Sequence, residues 1–139
     1  MLKGEIALVT GASRGIGRAI ALALAAQGAA VAGTATTEAG AAGIEQALTE
    51  AGYQGIGLML NVSDQASVDA ALSQISERLG APSILVNNAG ITRDNLLMRM
   101  KDDEWNSVID TNLSSLYRLS KACLRGMTKA RKGRIINIA

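Results

Sequence analysis

Histidine and phenylalanine are missing from the 139 residues, and cysteine, proline and tryptophan occur once each. With no imidazole and a single thiol, a transition-metal centre would have to be built from carboxylates, and no clustered Asp/Glu spacing offers one. A metal is therefore not expected. Cys123 cannot form an internal disulfide, and it falls in an apolar helical stretch where a free thiol acts as a small hydrophobe. Both points suit a reducing compartment. The aromatic set is Tyr53, Trp105 and Tyr117, too sparse for the stacking platforms of single-stranded nucleic-acid binders. Charge is nearly balanced, 14 basic against 12 acidic side chains for a net +2, so the surface as a whole does not call for a polyanion. No run approaches the roughly 18 apolar residues of a membrane span. The opening MLKGEIALVTGASRG meets a glycine motif after one short apolar stretch, without the hydrophobic region and cleavage site of a secretory signal. The expectation is a soluble, cytoplasmic protein with no nucleic-acid or membrane partner.

What is present is aliphatic: 48% of the residues are hydrophobic and 15 are glycine. That length and content fit one core, so a single domain over 1–139 is expected. Apolar runs at 5–9, 30–34, 55–60, 83–86 and 134–138 are short and bounded by Gly, Asn or Pro, the mark of buried strands. Between them apolar residues recur at helical spacing: Ala19, Ile20, Ala23 and Leu24, then Ile44, Ala47, Leu48 and Ala51, then Val68, Leu72, Ile75 and Leu79. Ser63 or Asp64 can cap the third of these helices, and Gly80-Ala81-Pro82 stops it. Alternation of this kind gives right-handed βαβ crossovers and a parallel sheet covered on both faces. The longest helical segment, about 102–131, puts Trp105, Ile109, Asn112, Leu116, Leu119 and Cys123 on one stripe expected to face the interior. Asn112 is the polar member of that stripe. It marks either a structured polar site or a core amide bonding a local carbonyl.

Val9-Thr10-Gly11-Ala12-Ser13-Arg14-Gly15-Ile16-Gly17 follows the first strand directly and opens the first helix, the context a dinucleotide loop requires. Gly11 permits the tight turn, Gly15 lets the backbone approach a pyrophosphate, and Gly17 allows close helix–strand packing. The helix N-terminus offers its free N–H groups to the phosphates. The competing reading is an ordinary turn. An NAD site usually carries an acid at the end of the second strand, yet here that strand ends Gly33-Thr34-Ala35-Thr36. Glu38 is near the expected distance, but Thr-Thr-Glu before an Ala-rich run reads as a capped helix start with a first-turn acid. Arg14 can donate to a 2′-phosphate and Thr36 can add a hydroxyl, which favours NADP(H); otherwise Arg14 is a solvated cation. Asn61 and Val62, at the carboxyl end of the third strand, lie where an adenine would rest. Asn87-Asn88 before Gly90 could be a turn signal alone.

The spacing Gly-x3-Gly-x-Gly in Thr10-Gly11-Ala12-Ser13-Arg14-Gly15-Ile16-Gly17 resembles the cofactor loop of the short-chain dehydrogenase/reductase family. Asn61-Val62, Asn87-Asn88-Ala89-Gly90 and Asn112 match further motifs of that family in order and spacing. Within it, the stretches from Gly90 to Leu97 and from Met98 to Asp102 are similar to bacterial 3-oxoacyl-(acyl-carrier-protein) reductases, and the likeness runs the whole chain. The resemblance implies a Rossmann-type doubly wound sheet in the order 3-2-1-4-5. It implies NADP(H) held by the loop residues Gly11, Ser13, Gly15, Ile16 and Gly17, with Arg14 and Thr36 at the 2′-phosphate. Asn61 and Val62 would meet the adenine, and Asn88, Ala89 and Gly90 would line the cofactor near its ribose. Asn112 would hold a water of the proton relay.

The family's catalytic Ser, Tyr and Lys follow its fifth strand, and none stands in this sequence, which reaches that strand at Arg134 to Ala139. Tyr53 and Tyr117 are not in a Tyr-x-x-x-Lys arrangement. The resemblance therefore implies part of a longer enzyme reducing 3-oxoacyl-(acyl-carrier-protein) in fatty acid biosynthesis, with residues 1–139 inactive alone. Arg118, Lys121, Arg125, Lys129, Arg131, Lys132 and Arg134 make the end of the long helix basic. That face is either solvated, with cations suited to a helix C-terminus, or a dock for the acidic acyl carrier protein, centred on Arg125, Lys129 and Arg131. A homotetramer is implied as well. Alternatives are a short-chain oxidoreductase for a CoA ester, sugar or steroid, and a non-catalytic NADPH-binding module.

Overall fold

The computed structural model describes residues 1–89 and 101–138. The five apolar runs form strands: β1 (Ile6–Val9), β2 (Ala30–Ala35), β3 (Gly55–Met59), β4 (Ile84–Asn87) and β5 (Arg134–Asn137). Helices α1 (Gly15–Ala26), α2 (Glu38–Glu50) and α3 (Gln65–Arg78) fill the first three crossovers. The fourth carries α4 (Asp102–Ile109) and α5 (Ser115–Ala130). All strand pairings are parallel and the order is β3-β2-β1-β4-β5, a Rossmann-type doubly wound sheet.

Burial on both faces is visible in β1 itself. Leu8 belongs to one core with Ile56, Leu58, Val68, Ile75, Leu85, Leu119, Cys123 and Met127, the side covered by α3 and α5. Its neighbours Ala7 and Val9 point the other way, into a core with Ala21, Ala25, Val31, Ile44, Leu48 and Val86 under α1 and α2. Period-two side chains thus serve two different layers. The α1 side is made of small residues: Gly17, Ala21 and Ala25 form its buried stripe and bring that helix close to the sheet. Caps fall where side-chain chemistry places them. Thr37 accepts from the Gly40 amide at 3.0 Å to start α2, and Asp64 accepts from the Ala66 amide at 3.1 Å to start α3.

The fourth crossover departs from the expected single helix. A π turn over Asp110–Ser114 separates α4 from α5, and its wider winding inserts a residue that changes the phase of the helix. The inward stripe of α5 is Ser115, Leu119, Cys123 and Met127, spaced by fours. Trp105 and Ile109, expected inside, are exposed, and α4 has no buried residue among those described. Asn112 is half-buried rather than enclosed. Cys123 behaves as the small hydrophobe expected: desolvation pushes its thiol up to about 11.

At the amino ends of the strands, Glu5 is the centre of a polar knot. It accepts from the Ser83 hydroxyl at 2.5 Å and pairs with Lys132, while Ser83 Oγ accepts from the Ile6 amide at 3.1 Å. The knot joins the starts of β1, β4 and β5. The hydrogen bond from Lys132, then that from Ser83, hold the Glu5 carboxyl below its ordinary value. A carboxyl with a lowered folded-state value stabilises the fold above the unfolded value of about 4.3 and loses that contribution as pH falls through the folded value. Replacing Glu5 by Gln is expected to lower the urea midpoint at pH 7, and the gap from the unsubstituted chain is expected to be smaller at pH 3. A gap of equal size at both pH values would remove the Glu5 carboxylate from the pH dependence.

Candidate functional site

The apolar run of β1 ends at Thr10, which is 1% exposed and has the hydroxyl on which the site is built. Thr10 Oγ1 accepts from the Asn88 amide at 3.0 Å and the Ala89 amide at 2.9 Å, and donates to the Val86 carbonyl at 3.4 Å. The two central strand ends are thereby joined. Asn88 Nδ2 returns the connection by donating to the Gly11 carbonyl at 3.1 Å, and the Ala12 amide reaches the Thr34 carbonyl of β2 at 2.8 Å. Three strand ends converge where the strand order reverses, the place at which doubly wound sheets hold ligands.

The chain then turns into α1 through two positive-φ glycines, Gly11 at 64° and Gly15 at 60°. Both values belong to the left-handed region, which side-chain-bearing residues rarely occupy. Gly17 is required for a different reason. A Cβ there would lie 2.1 Å from the Gly11 carbonyl oxygen and 2.5 Å from Asn88 Nδ2, so Gly17 is the space in which the Asn88 amide sits. Arg14 is the extended N-cap of α1, yet its side chain makes no capping bond and the first helical turn has no acid. The leading N–H groups of α1 are therefore left for an external acceptor.

Above this terminus opens a cleft of about 460 Å³, walled by Gly11, Ser13, Arg14, Gly15 and Ile16 from the loop. Thr34, Ala35 and Thr36 at the end of β2, Leu60 beyond β3, and Asn88 and Ala89 complete it. Among the described residues, Arg14 is the sole charge in that lining, and no carboxylate shares it. Glu38 faces a separate groove between α2 and α3 with Glu45, Ser67 and Gln74, and Thr37 rather than Thr36 caps α2. Thr36 is thereby left exposed at the cleft. Free N–H donors, one guanidinium and the hydroxyls of Ser13 and Thr36 make a set suited to phosphate oxygens.

Eight of the residues singled out in the sequence thus share one cleft: Gly11, Ser13, Arg14, Gly15, Ile16, Thr36, Asn88 and Ala89. Gly17 packs beneath it. Asn61 and Val62 are not in the wall; Leu60 is, because β3 ends one residue earlier than its apolar run. Asn61 builds a turn, its side chain accepting from the Ser63 amide and its carbonyl from the Asp64 amide. Val62 turns its side chain into the core. Asn112 lies in the π turn, where its carbonyl accepts from Ser115 Oγ at 3.4 Å, and it does not line the cleft. Gly90 lies outside the described residues, as does the 91–100 stretch. Arg125 borders a groove between α3 and α5, while Lys129 and Arg131 are exposed at the far end of α5, beside the start of β5. Thr10 is the residue whose role sequence reasoning missed. Its signal was a hydroxyl ending an all-apolar strand directly before a glycine.

The family model for short chain dehydrogenases matches residues 5–139. The chain is 66% identical over 137 residues to the 3-oxoacyl-(acyl-carrier-protein) reductase FabG of Pseudomonas aeruginosa, covering 99% of this chain and 56% of that protein. It is 65% identical to the proteins of the same name from Vibrio harveyi, over 137 residues, 99% of this chain and 55% of that protein, and Escherichia coli K12, over 136 residues, 98% and 54%. The chain spans about half the length of the curated relatives it matches. With the glycine loop, the reversal cleft and the family match all falling on one fold, the chain belongs to the short-chain dehydrogenase family.

Proposed function

We propose that this chain is the NADP(H)-binding part of a reductase that converts 3-oxoacyl-(acyl-carrier-protein) to the 3-hydroxyacyl form in fatty acid biosynthesis. The observation that carries the cofactor reading is the cleft over the uncapped start of α1, whose lining among the described residues holds Arg14 as its one charge and no carboxylate. A pyrophosphate would be held by the N–H groups of Gly15, Ile16 and Gly17, and the 2′-phosphate by Arg14 with the hydroxyls of Ser13 and Thr36. Thr34 and Ala35 form the wall on the β2 side, where an acid would otherwise favour the unphosphorylated ribose. Asn88, Ala89 and Gly90 would flank the nicotinamide ribose, and the turn that carries Asn61 and Val62, with Leu60 in the cleft wall, would bound the adenine. NADPH, when bound, supplies the hydride.

The substrate reading rests on the likeness to the reductases named above and applies to a polypeptide of their length. Neither tyrosine of this chain is placed to protonate a product oxygen at the cleft. Tyr53 precedes β3, and Tyr117 is exposed on α5, where its hydroxyl accepts from Lys121 Nζ at 3.3 Å. Asn112, half-buried in the π turn, would hold a water of the proton path. Residues 1–139 alone bind cofactor without turning it over.

Two surfaces of the last helices suit partners. Arg125, Lys129 and Arg131 are exposed on α5 and its C-terminal cap, and no ion pair among the described residues engages them; they form the dock for the acidic carrier protein. Along the same segment, Trp105, Ile109, Leu113, Tyr117 and Leu124 are exposed at spacings of four and seven. An apolar stripe of this kind is covered by another copy of the chain, consistent with a tetramer.

Three outcomes follow from this reading. Isothermal titration of Arg14→Ala is expected to show NADPH binding weakened ten- to about a hundredfold, the size of one charge-assisted hydrogen bond, with NADH binding unchanged. Equal preference for the two cofactors before substitution would refute the 2′-phosphate assignment. Charge reversal in Arg131→Glu is expected to slow association with an acidic carrier protein several-fold and to flatten its salt dependence; an unaltered association rate would move the dock elsewhere. Light scattering of Leu113→Glu is expected to report a smaller assembly than that of the unsubstituted protein, and an identical mass would separate the apolar stripe from assembly.

A further inference from the structure

Arg118 stands apart from the other cations of α5. Arg118, Lys121 and Arg125 all border the groove between α3 and α5, but Lys121 and Arg125 are exposed, Lys121 with its Nζ 5.5 Å from the centre of the Tyr117 ring. Arg118 is half-buried, and its Nη1 donates to the carbonyl of Val62 at 3.4 Å, across 56 positions of sequence. Val62 is the first buried residue after the cleft wall at Leu60. The segment between β3 and α3 is a compact turn of its own: the Asn61 amide donates to Ser67 Oγ at 3.0 Å, the Ser63 amide to Asn61 Oδ1 at 3.0 Å, and the Asp64 amide to the Asn61 carbonyl at 3.1 Å. Those bonds fix the internal shape of the turn. The Leu60 amide, donating to the Ala35 carbonyl at 2.9 Å, ties the start of the segment to β2, and the bond from Arg118 ties its Val62 end to α5.

We infer that Arg118 is a positioning residue that holds the Leu60–Val62 turn against α5 and so sets the adenine end of the cofactor cleft. The Val62 side chain packs into the same core as Leu119 and Cys123, the residues next to Arg118 on α5 and one turn on from it. The carbonyl of Val62 is thus held by α5 through a charge-assisted hydrogen bond, while its side chain lies in the core that α3 and α5 cover. The guanidinium does not reach the cleft lining, so it acts through the turn rather than by touching cofactor. Adenine is common to NADPH and NADH, whereas Arg14 addresses the phosphate that only NADPH carries. Loss of Arg118 therefore weakens both cofactors by the same factor, a signature that loss of Arg14 cannot give.

This inference rests on the cofactor reading proposed above, and the test separates the two. NADPH, NADH and adenosine 2′,5′-bisphosphate are titrated calorimetrically into the unsubstituted protein, Arg118→Met and Arg118→Lys. The expected result for Arg118→Met is a loss of about three- to tenfold for all three ligands with the NADPH/NADH ratio unchanged, on the scale of one hydrogen bond. Arg118→Lys, which keeps a donor, is expected to recover most of that loss. Amide hydrogen exchange over Asn61 to Asp64 is expected to accelerate in Arg118→Met while the amides of β1 and β4 keep their protection. Arg118→Gln, a good helix former too short to reach Val62, carries the test if the methionine variant does not fold. Unchanged affinity in Arg118→Met or Arg118→Gln overturns the positioning role and leaves the cofactor reading intact. So does a loss confined to NADPH. No NADPH binding by the unsubstituted protein overturns the cofactor reading and this inference together.

Discussion

A single buried hydroxyl, that of Thr10, joins the point at which the sheet reverses its strand order. It satisfies two amides of the segment leaving β4 and reaches the Val86 carbonyl, so the two central strands separate at a fixed gap. The two half-buried amides there would otherwise be left to water. The cleft exists because that gap is held open at one end and filled at the other by the Asn88 side chain over Gly17. Remove the hydroxyl and the Asn88 and Ala89 amides lose their acceptor, leaving the Thr10 amide on the Val86 carbonyl and Asn88 Nδ2 on the Gly11 carbonyl as the ties between the loop and β4.

The small residues of the α1 and α2 layer serve the same end. Ala21 and Ala25 bring α1 down onto β1 and β2, and Gly33 leaves room for the Ile44 side chain, whose Cγ2 would lie 2.6 Å from a Cβ there. A layer so thin places the helix N-terminus low over the strand ends, within reach of a flat ligand lying across them. The α3 and α5 layer is built from larger side chains, Ile75, Leu119 and Met127 among them. It braces the sheet from behind and keeps its polar reach for the edge of the cleft.

The alternation of short apolar runs with helical spacing made the parallel sheet legible, because strands buried on both faces cannot hide their composition. The glycine loop was legible for a related reason: Gly11, Gly15 and Gly17 each occupy a backbone or space that a side chain would refuse. Two features were not. The stripe from Trp105 to Cys123 looked continuous because a uniform helical period was assumed, and a π turn at Asp110–Ser114 has no compositional mark. Leu60, just before Asn61 and Val62 in the chain, lines the cleft, because β3 ends at Met59, one residue before its apolar run does. Periodicity reports that a face exists; it does not report where the phase slips.

The strand order also dictates a sequence of assembly during synthesis. β1 is made first, yet it lies in the middle of the sheet, flanked by β2 on one edge and β4 on the other. Once residue 59 has emerged, β1, β2 and β3 can pair outward on one side, with α1 and α2 covering one face. The opposite edge of β1, and the whole surface beneath α3 and α5, stays bare until residues 84–87 and 115–130 follow. At a synthesis rate of about 5–20 residues per second, that interval lasts several seconds. For that time the nascent chain shows an open strand and a hydrophobic sheet face, and those seconds are when a ribosome-associated chaperone has most to shield.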